Sequence, residues 1–212
     1  MNAVSLKAIV EEAPVVAIVR RPKVDPIRCI EHLFQHDIRL VEITMDSANA
    51  ADVLKHFRSR VPANCLLGAG TVTTVGLAEI ALDAGASFVV TPNLDQEVVQ
   101  TVRSHGIPMM PGAMTPTEIL EAAKAGADFV KVFPASVVEP RYFRELRGPF
   151  ADIPLMASGG ITLENAAEFI KFGVDVLGLG GGLIPKSDSE FDQCADLARK
   201  ILEIALKARD ER

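Results

Sequence analysis

Three charged side chains interrupt apolar runs of this chain. Lys131 stands in the middle of Phe129-Val130-Lys131-Val132-Phe133, Glu42 lies inside LVEITM (40–45), and Arg20 ends VVAIVR (15–20). An ammonium among β-branched and aromatic residues is costly to bury unless it is paired, neutralised or used. A neutral amine in an apolar site attacks a ketone to form a Schiff base, and the protonated imine then draws electrons from the adjacent C–C bond. Breaking or making that bond needs a proton shuttle. A carboxyl whose proton affinity is raised by burial serves in both directions, which points to Glu42 as general acid and base. A guanidinium fork takes a carboxylate bidentately, the role open to Arg20. The plainer alternative is an ion pair that only holds structure. Such a pair adds little net stability over an apolar replacement, so three charges converging on one place are better explained by use.

A repeated strand and helix unit positions these residues. LDAGASFVVTPN, AKAGADFVKVFP and IKFGVDVLGLGG each read as a helix end, a glycine, a short spacer and an apolar run. Gly85, Gly126 and Gly173 fit the left-handed position just past a helix. SHGIPMMPGA is a further copy with Gly106, and QHDIRLVEITMDS a looser one with Asp37 near that place. The apolar runs number eight: 15–20, 40–45, 66–72, 88–93, 107–112, 129–134, 153–160 and 176–182. Helical spacing fills the intervals, with Ile119, Leu120 and Ala123 on one face of PTEILEAAKAG, and Ala166, Phe169 and Ile170 on one face of NAAEFIKFG.

Eight strands alternating with helices predict an α/β chain closed into a (β/α)8 TIM barrel; an open doubly wound sheet is the competing arrangement. Residues 1–212 read as one domain. The first 13 residues form an extra helix over the barrel bottom, and SEFDQCADLARKILEIALKA forms the last helix. Alternation sets the facing. Lys131 shares a side with Phe129 and Phe133, and Glu42 with Leu40 and Thr44, which turns both into the barrel, where they can meet Arg20.

Barrel chemistry sits at the C-terminal ends of the strands. Ser158-Gly159-Gly160 follows the seventh run and Gly180-Gly181-Gly182 the eighth, the two places where barrels commonly hold a phosphate on backbone N–H groups. Thr162 could start the helix after the first of these loops. Neither loop carries a basic residue, so binding there rests on backbone dipoles.

The chain resembles the class I aldolases that cleave 2-keto-3-deoxy-6-phosphogluconate (KDPG) and 4-hydroxy-2-oxoglutarate (KHG), together with their galactonate-epimer relatives. The matching stretches are VVAIVR, VEITMDS, GAGTV, TPN, PGAMTPTE, VKVFPAS, RGPF and SGGI, in that order between about Val15 and Pro185. The resemblance implies that Lys131 forms the Schiff base and Glu42 moves the protons. It implies that Thr71 and Pro92 line the pyruvate end with Phe133 beside the imine, and that Ser158, Gly159 and Gly160 hold the distal part of the substrate. Gly180 and Gly181 join that distal set. The products would be pyruvate and an aldehyde, glyceraldehyde 3-phosphate or glyoxylate. The resemblance also implies a homotrimer that needs no metal and no other cofactor. Two positions depart from the common pattern. Asp46 stands where many phosphogluconate-type members carry an arginine for the carboxylate, so that task falls to Arg20, as in the galactonate type. Gly181 stands where many have serine, which keeps an unphosphorylated 4-hydroxy-2-oxo acid among the substrates.

Composition narrows the rest. The 212 residues carry a formal charge of -6 with no Lys/Arg-rich run, which argues against a nucleic-acid surface. No 18-residue apolar stretch predicts a membrane span, and Glu11 and Glu12 break any signal-peptide pattern. Cys29, Cys65 and Cys194 read as reduced, mostly buried thiols of a cytoplasmic protein. His32 and His36 are spaced i, i+4 and read as solvent-facing rather than as ligands of a metal-dependent aldolase. A phosphate-binding barrel isomerase and a non-catalytic ligand-binding barrel are the remaining alternatives. Met109, Met110, Phe143 and Phe150 serve either a subunit contact or the core.

Overall fold

A computed structural model describes residues 5–212. Among these residues nine parallel strand segments form one sheet: β1 (Val15–Val19), β2 (Leu40–Thr44), β3 (Leu66–Gly70), β4 (Val89–Val90), β5 (Met109–Met110), β6 (Gly112–Ala113), β7 (Val130–Val132), β8 (Leu155–Ser158) and β9 (Val176–Leu179). The order β5-β4-β3-β2-β1-β9-β8-β7-β6 runs round a ring. The predicted fifth run is thus two short strands, split at Pro111, which has no N–H for the ladder. The ring still closes through it. Thr91 N donates to Met110 O (3.2 Å) on one side, and Lys131 N donates to Pro111 O (2.9 Å) on the other. The expected TIM-type barrel is the fold.

Helices follow the strands on the outside: α2 (Pro26–Gln35), α3 (Ala50–Phe57), α4 (Val75–Ala84), α5 (Gln96–Ser104), α6 (Pro116–Lys124), α7 (Pro140–Arg147), α8 (Leu163–Lys171) and α9 (Phe191–Asp210). Their starts are chemically marked. Asp25 caps α2, Asp95 caps α5, and Thr115 with Glu118 makes a reciprocal capping box on α6. Gly85, Gly106, Gly126, Gly173 and Asp37 all take positive φ, as the repeat predicted. On α6 the buried face is Ile119 and Ala122, and Leu120 lies on the outer side at 36% exposure, a correction to the sequence pattern. Ile119 and Ala122 centre the buried stripe, and Leu120 falls outside it.

α1 (Leu6–Glu12) precedes the barrel and is the predicted extra helix; residues 1–4 lie outside the described residues. Its Leu6, Ile9 and Val10 join Val16, Leu40, Phe88, Val90, Met110, Phe129, Met156 and Val176 in one cluster. The strand members of this cluster are inward-facing by alternation, so α1 plugs the bottom of the barrel. The outward-facing strand residues form a second, larger core with the helices. Met109, Met110 and Phe143 are buried inside this chain, Phe143 edge-on to Phe169, and Phe150 packs partly buried on the outer core. They are accounted for by packing within one subunit.

Candidate active site

The inner positions change character up the barrel. Phe129 belongs to the apolar plug, and Lys131, two residues on, reaches the mouth on the same face. Leu40 and Glu42 repeat the step on β2. Lys131 and Glu42 are both buried, at 6% and 1% exposure, and Lys131 Nζ lies 3.9 Å from Glu42 Oε1. That is close enough for charge attraction and too long for a hydrogen bond. Neither carboxylate oxygen has a hydrogen-bond partner. Burial pushes the Glu42 carboxyl above the usual carboxylate range, against the opposing charges of Lys131 and Arg20. Gly70 makes room for it: a Cβ at that position would come within 2.6 Å of Glu42 Oε1.

A cleft of about 470 Å³ opens at the C-terminal end of the strands. Lys131, Arg20, Thr71, Pro92, Phe133, Ser158, Gly159, Gly160, Gly180 and Gly181 all line it. Every site residue read from the sequence except Glu42 is therefore in one wall, and Glu42 stands behind Lys131. The Lys131 ammonium is 5.3 Å from the centre of the Phe133 ring. The Ser158 hydroxyl is buried and unpartnered. Each of these orphaned buried atoms is costly if nothing fills its valence.

Arg20 lies further out than the sequence led us to expect. It is half exposed and makes its ion pair with Asp46 rather than with Glu42. Its Nη2 donates to Thr71 Oγ1 at 2.6 Å, and its Nε faces Asp46 Oδ1 at 3.8 Å. Asp46 also pairs with Arg21 at 3.0 Å. Burial raises the Asp46 carboxyl, but the Thr44 hydroxyl and the charges of Arg20 and Arg21 outweigh it and hold it below the usual range.

Ile18, Ile161, Gly178 and Leu179 complete the wall and were not singled out in the sequence, together with Thr162, which was read only as a helix start. Spacing could have found three of them, since Ile18, Gly178 and Leu179 each lie two residues before a predicted site residue. Gly178 also has a steric reason, because a Cβ there would come within 2.3 Å of Met156 Cε.

The titratable groups elsewhere are otherwise engaged. His32 and His36 are half-buried between α2 and α9, not solvent-facing as expected. His32 Nε2 bonds the Phe191 carbonyl at 2.9 Å, and His36 Nδ1 bonds the His32 carbonyl at 2.8 Å. Among the described residues, no three His, Cys, Asp or Glu side chains gather as a metal set would. Burial, then Cys194 and Asp25, push the Cys29 thiol up to about 12, far from a nucleophile's range.

Comparison with known proteins agrees with this geometry. A family model described as KDPG and KHG aldolase matches residues 6–199. A "Probable 2-dehydro-3-deoxy-6-phosphogalactonate aldolase" of Rhizobium meliloti (strain 1021) is 34% identical over 81% of this chain and 82% of its own length. A "2-dehydro-3-deoxy-phosphogluconate aldolase" of Treponema pallidum (strain Nichols) is 34% identical over 92% of this chain and 94% of its own. The solved structure described as "Native KDPGal structure" superimposes with a TM-score of 0.85 at 29% identity, covering 93% of this chain and 96% of that one. The chain belongs to the KDPG and KHG aldolase family.

Proposed function

We propose that Lys131 is the Schiff-base lysine of a class I aldolase and Glu42 its general acid and base. As a member of the family the protein is an aldolase, a carbon–carbon lyase. The reaction is reversible cleavage of a 2-keto-3-deoxy-6-phospho-sugar acid or 4-hydroxy-2-oxoglutarate to pyruvate and an aldehyde. The observation that carries this reading is the buried Lys131–Glu42 pair at 3.9 Å, its carboxylate unbonded, behind a cleft rimmed by Arg20. The amine of Lys131 attacks the 2-keto carbon, and loss of water gives the imine. Glu42 takes the proton from the 4-hydroxyl as the C3–C4 bond breaks, and returns a proton to C3 of the enamine. Arg20 holds the C1 carboxylate, and Phe133 and Pro92 pack the apolar flank. Ser158, Gly159, Gly160, Gly180 and Gly181 face the distal end.

The galactonate-type substrate is the second reading. It is favoured by the cation at the end of β1 with a carboxylate, Asp46, after β2, and by the likeness to the Rhizobium meliloti protein. We infer a homotrimer from the family resemblance; light scattering tests it. The cytoplasmic assignment rests on Cys29, Cys65 and Cys194 being free.

The decisive test is intact mass after incubation with pyruvate and sodium borohydride, with peptide mapping. A reduced pyruvyl adduct on Lys131 is expected, absent in Lys131→Met. A folded protein that gives no adduct, or one on another lysine, would remove the Schiff-base assignment.

A further inference from the structure

β3 offers no side chain at two successive inward positions, Gly68 and Gly70. Both spaces are filled from the strands on either side. Gly68 pairs with Glu42 of β2, and Ala69 pairs with Val89 of β4, so Gly68 stands between Glu42 and Phe88 in one row. A Cβ at Gly68 would come within 2.7 Å of three Phe88 ring atoms, Cδ2, Cε1 and Cε2. The face of the ring therefore covers the missing side chain and extends toward Glu42. Glu42 is turned up the barrel instead, with its carboxyl over Gly70. Phe88 is fully buried and belongs to the apolar plug, so the floor under that carboxyl offers no donor. Neither Glu42 oxygen has a hydrogen-bond partner. The charged groups that bear on it are Lys131 from β7 and Arg20 from the end of β1. Ile18, its partner on β1, and Gly68, Gly70 and Phe88 carry no charge.

We propose that Phe88 is a positioning residue: its ring fills the space over Gly68, turns the Glu42 carboxyl up toward Lys131 and keeps water from it. The inference rests on the reading of Glu42 as general acid and base. A carboxylate free to drop back over Gly68 would be hydrated and further from the reacting carbon. Hydration makes it a weaker base, and distance slows the transfer.

The experiment uses pyruvate alone on the full chain. In the imine on Lys131 a C3–H bond breaks, its electron pair forms the enamine and its proton goes to Glu42. In heavy water a deuteron returns to C3, and NMR follows the labelled methyl group. Cyanoborohydride trapping on Lys131 reports imine formation separately. Phe88→Leu leaves the space over Gly68 partly empty. Exchange at saturating pyruvate should fall about tenfold. Half-saturation of trapping should stay within about twofold, since Lys131 is left in place. The rise of exchange with pH should move to lower pH, because water then stabilises the ionised carboxylate. Adding Gly68→Ala to Phe88→Leu refills the space with a methyl group and should recover most of the exchange. Three results would overturn the proposal: wild-type exchange and pH dependence in Phe88→Leu, trapping that weakens in step with exchange, or no recovery in the double variant. Glu42→Gln exchanging at the wild-type rate would remove the role of Glu42, and a wild-type protein that traps no pyruvate sinks the Schiff-base reading. Either would take this inference with it.

Discussion

The two ends of the barrel are built from the same strands and obey opposite rules. At the bottom the inner residues are Val16, Leu40, Phe88, Phe129, Met156 and Val176, closed by Leu6, Ile9 and Val10 of α1. Close packing there leaves no polar side-chain atom to satisfy. At the top, the next inner positions include Glu42, Lys131 and Ser158, and Glu42 and Ser158 keep buried atoms without partners. Two residues along a strand is only about 7 Å. Over that distance the interior passes from a core that stabilises to a site that costs stability and can do chemistry.

The comparison can be broken from either end. The largest effect should come at the top. Glu42→Gln is close in shape and cannot shuttle protons, so kcat should fall by about 10²–10⁴-fold with the fold retained. Wild-type kcat should rise with pH through an apparent value above the ordinary carboxylate range, since burial raises the Glu42 carboxyl and the base must be ionised. That limb should vanish in Glu42→Gln. An unchanged profile would take the proton shuttle away from Glu42.

Phe129→Ala tests the bottom. It should cost about 3–5 kcal/mol of stability by chemical denaturation. Trapping of pyruvate on Lys131, measured well below the midpoint, should persist. If affinity falls as far as stability does, the two ends are not separable.

The smallest effect concerns the rim. The Asp46 carboxyl is held below its ordinary value in the folded state, so between the two values the unfolded chain binds more protons. Its contribution is present above the ordinary carboxylate value and is lost as pH falls through the folded one. Asp46→Asn should flatten that part of the acid stability curve, by at most about 1 kcal/mol for so exposed a pair. A curve that superimposes on the wild type would show that Asp46 is not coupled to Arg20 and Arg21.

The repeat itself was legible in the order of residues. Period-2 runs, helix caps and a glycine past α4, α5, α6 and α8 are local properties, and they determined the eight-unit repeat, the barrel class and the inward facing of Lys131 and Glu42. The same alternation placed Phe129 and Phe133 on the face of Lys131. Contacts between distant segments were decided only by closure of the barrel. Pro111 stays in the ring although it splits a strand, because its carbonyl accepts from Lys131 N on the neighbouring strand. His32 meets Phe191 only because α2 packs on α9. Arg20 turns to Thr71 and Asp46 because the ends of β1, β2 and β3 converge at one rim. Sequence spacing carries no information about such meetings. They depend on register and on which side chain finds a partner first within reach, and those are properties of the closed ring.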